Sequence, residues 1–125
     1  MYKVDIKKKR YDILCNLDFV KSSGIVYDEK NKRLVFITQT KSPKIYEISL
    51  KDNRLKLLYD TGIGNCDGIT MDKKGYFYSG SWQTGNLYRF SIKEGARGNT
   101  PIISGLVTTV YSYIDSDNQT IAIPC

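Results

Sequence analysis

Apolar and polar residues alternate along this chain in short runs. Lys44-Ile45-Tyr46-Glu47-Ile48 and Arg54-Leu55-Lys56-Leu57 switch sides at every step, which is the period of a strand with one buried face. Between such runs stand Asp28 to Lys32, Asp72 to Gly75, Lys51 to Arg54 and Asp115 to Gln119, rich in the residues of tight turns. No segment carries a convincing amphipathic helical stripe.

The runs repeat. Ile45-Tyr46-Glu47-Ile48-Ser49-Leu50 matches Met1-Tyr2-Lys3-Val4-Asp5-Ile6 at an offset of 44, and returns as Leu87-Tyr88-Arg89-Phe90-Ser91-Ile92 at an offset of 42. Ser23-Gly24-Ile25-Val26-Tyr27-Asp28 matches Asp67-Gly68-Ile69-Thr70-Met71-Asp72, again at 44, and Leu34-Val35-Phe36 matches Phe77-Tyr78-Ser79 at 43. A worn third copy is Ser112-Tyr113-Ile114-Asp115 with Ile121-Ala122-Ile123. Each period predicts four strands. Strand A covers Gly24–Tyr27 or Gly68–Met71, strand B Leu34–Thr38 or Tyr76–Ser79, strand C Lys44–Ser49 or Asn86–Ser91, and strand D Leu55–Tyr59, with a weak last D around Pro101–Ser104. Four-stranded units at a period near 40 are the mark of β-propeller blades. The expected fold is therefore all-β, with four-stranded antiparallel blades amounting to half of a six-bladed ring. The segments are a half-blade over residues 1–16, blades over 22–60 and 66–104, and a half-blade over 108–125. Three blades' worth of strands cannot close a ring. The expected partners are thus a second copy completing six blades under two-fold symmetry, or further blades of a longer chain.

Composition narrows the chemistry. The 125 residues contain no histidine, which removes Ser-His-Asp and Cys-His nucleophilic systems and histidine metal sites. Cys15, Cys66 and Cys125 are odd in number and widely spaced, with no C-x-x-C; a reducing compartment is the plainer reading. The N-terminus has no apolar leader region and no run reaches the length of a membrane span. The chain as given reads as cytoplasmic, with no membrane partner. The net charge of +6 raises a polyanion partner, but Lys7-Lys8-Lys9-Arg10 falls on a hairpin tip, so nucleic acid is not expected. Lys30, Lys32, Arg33, Lys73 and Lys74 all fall on A–B turns, which gathers charge on one rim.

The segment from Cys66 to Phe90 carries a D-G turn at Asp67-Gly68, D-x-x-G at Asp72 to Gly75, and W-x-x-G at Trp82 to Gly85, followed by a strand containing Arg89. It resembles a blade of the regucalcin/gluconolactonase family and is similar to NHL-repeat blades. The resemblance implies a propeller that binds a small polar ligand near its axis. If the chain is catalytic, it implies metal-assisted hydrolysis of a sugar lactone. It also implies a divalent ion such as calcium, with Asp67 as a ligand. The family's Asn-Gly turn is Ser23-Gly24 here, Tyr111 stands near the third equivalent place, and the family's Glu has no counterpart. The implied ligand set is therefore incomplete.

Bottom-up, Asp67 is either an ion ligand or an Asx-type turn that starts a strand. Trp82 and Gln83, with Ser23, Gln39 and Asn65 on the same rim, are the candidate lining of a ligand pocket; the plain alternative is that Trp82 packs between blades. Gly62 to Cys66 lacks the glycine spacing and following helix of a nucleotide loop. Asp115-Ser116-Asp117 reads as a turn, and Asn118-Gln119-Thr120 is a formal glycosylation sequon. The competing function is a non-catalytic NHL-like scaffold that binds protein or nucleic acid.

Overall fold

The computed structural model describes the chain except residues 17–20, 96–98, 108, 110, 116, 118 and 125. The expectations for Cys125, for Ser116 in the last turn and for the sequon asparagine, Asn118, lie outside the described residues.

Twelve strands form four antiparallel sheets among these residues. A hairpin pairs β1 (Tyr2–Asp5) with β2 (Arg10–Ile13). The first blade follows in chain order as β3 (Ser22–Asp28), β4 (Arg33–Thr38), β5 (Lys44–Ser49) and β6 (Leu55–Asp60). The second blade is β7 (Cys66–Met71), β8 (Phe77–Ser81), β9 (Asn86–Phe90) and β10 (Thr100–Ile103). A last hairpin pairs β11 (Tyr113–Asp115) with β12 (Thr120–Ala122). The architecture is all-β with four-stranded antiparallel blades, as the repeat predicts.

Register repeats with the sequence. Leu34 stands opposite Ile48 in the first blade, and Phe77 opposite Phe90 in the second. The backbone repeats its exceptions too. Lys9, Asn53 and Gly95 hold positive φ at successive C–D turns (50°, 57° and 62°), and Lys32, Gly75 and Gln119 do so at successive A–B turns (50°, 87° and 53°). Left-handed residues at fixed places reverse the chain between twisted strands, and most side chains tolerate them at a cost.

The core fills the space between the two blades. Val35, Ile37, Ile45 and Tyr59 of the first meet Cys66, Ile69, Phe77, Tyr88 and Phe90 of the second. The inner strands β3 and β7 approach closely. A Cβ on Gly24 would lie 2.6 Å from the Ile69 backbone nitrogen, at a φ of +69°. Glycine at this point is what lets the blades touch.

Two differences from the expected strands bear on function. Strands β3 and β7 each begin two residues earlier than predicted, and each carries an irregularity in pairing around its glycine. Ser23 and Asp67 thus lie inside strands, not in turns that open them. The weak last D strand forms as β10, fully exposed, with a register shift between Pro101 and Ile103. Proline at an unpartnered edge removes a donor that had no strand to meet.

Candidate binding rim

Ser23 and Asp67 occupy the same repeat position on the two innermost strands, and the fold puts them in contact. The Ser23 hydroxyl donates to Asp67 Oδ1 and accepts from the Gly68 backbone N–H at 3.3 Å. Asp67 is 8% exposed. A buried carboxylate is costly unless hydrogen-bonded, and Ser23 supplies that bond from the neighbouring blade. The Ser79 hydroxyl donates to the Gly68 carbonyl at 2.6 Å, which satisfies the backbone at the same irregular point.

The remaining candidates lie one layer outward, on the rim where strands A begin and strands B end. Asn65 Nδ2 donates to Gln83 Oε1 at 3.0 Å, and the Trp82 N–H donates to the Asn65 carbonyl at 3.3 Å. Asn65 sits at φ +54°, a conformation asparagine tolerates well. A Cβ on Gly64 would meet the Gln83 side chain and, at 3.5 Å, the Lys41 carbonyl of the first blade. Gln83 therefore leans over the seam between blades. Gln39 is exposed in the corresponding turn and is tied by its N–H to the Lys21 carbonyl at 2.7 Å. Trp82 is 51% exposed, so about half of its surface is open to solvent on this rim. The structure thus joins Ser23 with Asp67, and Asn65 with Gln83 and Trp82, while Gln39 lies in the equivalent turn of the first blade.

Among the described residues, no three His, Cys, Asp or Glu side chains converge on one point. Asp67 and Ser23 provide two oxygens, whereas a hard ion such as calcium takes six to eight. The described residues of one chain do not make such a site. Beside Asp67, burial pushes the Cys66 thiol up to about 12, which leaves it inert as a nucleophile at neutral pH.

The opposite rim carries a network that sequence reading missed. Asp28 accepts from Asn31 Nδ2 and from Arg33 Nε, both at 2.7 Å, and Arg33 Nη1 donates to Glu47 Oε2 at 2.5 Å. Burial raises the Asp28 carboxyl, but bonds from Asn31 and Arg33 outweigh it and hold the group below its ordinary 3.8. Burial also works against the Arg33 cation, and its two carboxylate partners reverse the effect. The available signal was the pairing register itself, which sets Asp28 opposite Arg33 across a four-residue turn. In the second blade Asp72 accepts from the Lys74 and Tyr76 N–H groups and the Tyr78 hydroxyl, each at 2.9 Å. There Arg89 lies over the Tyr76 ring, 4.6 Å from its centre.

A groove of about 830 Å³ runs between these two A–B turns and the β9–β10 turn. Of the basic residues expected on this rim, Lys30, Arg33, Lys73 and Lys74 line the groove and Lys32 does not, and they do not form a uniform patch. Lys30, Lys73, Lys74 and Lys93 alternate with Asp28, Glu29, Asp72 and Glu94, and Arg33 is turned inward.

No protein-family model matches the chain, and no curated protein does. A solved structure is similar: a β-propeller chain in the crystal structure of a nidogen/laminin complex. It matches with a TM-score of 0.73 and 16% identity, over 89% of this chain. This chain spans 42% of that chain's length. The likeness establishes the propeller fold; it does not extend to the sugar-lactonase family.

Proposed function

We propose that this chain is a non-catalytic propeller module that binds a protein segment on the rim formed by Asn65, Trp82 and Gln83. The observation that carries the proposal is Trp82. A large aromatic left half-exposed among amides on a rigid turn is what protein interfaces use as an anchor. Asn65 and Gln83 are paired and exposed, so they can exchange that bond for one to a peptide backbone. The carboxylate beneath is committed to Ser23, which favours binding over hydrolysis. The similar chain was solved in a protein complex, which fits the same use of the fold.

Trp82 is the chain's single tryptophan, so its emission reports on this rim alone. Peptides selected from a random display library against the folded chain should shift that emission to the blue. Their affinity should fall roughly thirtyfold in Trp82→Ala, the scale of an interface anchor. Binders that leave the emission unchanged and bind Trp82→Ala equally would refute the reading.

A lactonase-like use of the axis is the second reading, favoured by Asp67, a buried carboxylate on an innermost strand. One chain does not complete the ion site, so the remaining oxygens would come from a second chain, water and backbone. Calorimetry with calcium decides it. Saturable binding lost in Asp67→Ala supports this reading, and binding unchanged in that variant sinks it.

A further inference from the structure

The rim that carries Trp82 repeats in the first blade with different chemistry. In the second blade the Trp82 N–H donates to the Asn65 carbonyl, and in the first the Gln39 N–H donates to the Lys21 carbonyl. Lys21 therefore stands at the repeat position of Asn65, and Gln39 at that of Trp82. Further along the same turn, Lys41 stands where the second blade has Thr84. The two halves of the rim adjoin. A Cβ on Gly64 would meet both the Gln83 side chain and the Lys41 carbonyl.

Charge on this rim is one-sided. Lys21 and Lys41 are exposed, and among the described residues neither has a carboxylate within ion-pair distance. The acids here are committed. Asp67 is buried against Ser23, and Asp60 pairs with Lys44 at 3.7 Å and accepts from the Gly62 N–H at 3.2 Å. The second blade's share of the rim is neutral: residues 62–66, 80–86 and 105–107 contain no charged residue. It is also apolar at its outer end. The Leu106 N–H donates to the Gly85 carbonyl at 2.9 Å, which sets Val107, 89% exposed, beside the turn that carries Trp82.

We infer that the protein segment bound here, on the reading proposed above, is acidic at one end and apolar at the other. Its carboxylates face Lys21 and Lys41, its main chain meets Asn65 and Gln83, and its apolar end covers Trp82 and Val107. Exposed charge pairs are individually weak, so the acidic end sets approach and direction while Trp82 holds the segment. A nucleic-acid strand fits less well. It is charged along its whole length and would lay phosphates over the neutral half of the rim.

Peptides taken from the display library for shifting the Trp82 emission should carry Asp or Glu toward one end and apolar residues toward the other. One such peptide is the probe. Lys21→Glu with Lys41→Glu should weaken its binding about tenfold, with the β-sheet circular dichroism retained. Lys30→Glu with Lys74→Glu makes the same charge change on the opposite rim and should alter binding less than about twofold. Emission-shifting peptides without acidic residues would overturn the inference and leave Trp82 as the anchor. So would no loss in the first double variant, an equal loss in both, or displacement by a single-stranded oligonucleotide of equal affinity. Peptides that bind Trp82→Ala undiminished would overturn the binding rim itself, and this inference with it.

Discussion

Strands β3 and β7 share a repeat position, a glycine at φ +69° and a similar sequence, yet they live in different surroundings. All but the last residue of β7 are buried, whereas β3 alternates between buried and exposed. Position in the ring, not sequence, makes the difference, because a blade's inner strand is finished only by the blades on both sides. Hydrophobic residues at equivalent places should therefore differ in worth.

The largest effect is expected where the two strands touch. Gly24→Ala meets both a left-handed backbone and the Ile69 nitrogen 2.6 Å away, and should cost roughly 4 kcal/mol. Gly75→Ala has the same backbone demand at φ +87° with nothing within 4 Å, and should cost about 1 kcal/mol. Urea unfolding of both variants separates contact from conformation; equal losses would show that the blades do not meet at Gly24.

Next comes the pair that defines the comparison. Ile69→Ala, at a buried position, should lose about 3 kcal/mol, and Ile25→Ala, at a half-exposed one, under ~1 kcal/mol. Urea denaturation of both variants checks this; equal losses would show that the two strands share one environment.

Smaller again is the contrast at the opposite rim, where the first blade uses an ionic chain and the second a phenol and a cation over a ring. Arg33→Ala leaves two carboxylates without their partner and should cost about 2 kcal/mol. Tyr78→Phe removes one hydrogen bond and should cost about 1 kcal/mol. Chemical unfolding that ranks them in the reverse order would show that the ionic chain is ornamental to stability.

The pH dependence should divide between the blades. Asp28 has its native value held below 3.8, so its contribution is complete above that value and is lost as pH falls through the native one. Asp28→Asn should flatten the acid limb. In the second blade, burial pushes Cys66 from 9.0 up to about 12, and burial with Asp72 beside it pushes Tyr78 from 10.0 up to about 12. The unfolded chain sheds those protons first. Stability is thus whole below pH 9 and declines toward pH 12. Tyr78→Phe with Cys66→Ala should flatten that limb, while Tyr59 in the first blade, raised more modestly by burial, keeps a remnant. Thermal melts across pH 2 to 12 would read both limbs.

Blade order was legible because turns and alternation recur at a near-constant period, and each repeat must bury the same face. Contacts between blades were much less so. Ser23 and Asp67 could be matched as equivalents, but that the equivalents touch depends on how tightly Gly24 lets β3 approach β7. The half-exposure of Trp82 was equally hidden, since a W-x-x-G turn has the same letters whether the indole is covered or open. The Asp28–Arg33–Glu47 chain needed the register across three strands, which the alternating pattern fixes only once the turn length is known.

The recurring left-handed turns carry one more consequence. Lysine, asparagine, glycine and glutamine all serve at these joints, so the joint is preserved while its lettering drifts. Each four-stranded unit is then a cassette with standard couplings at both ends. A lineage can lengthen such a chain by copying a cassette whole, and the circumference of the ring becomes a matter of copy number rather than of new geometry.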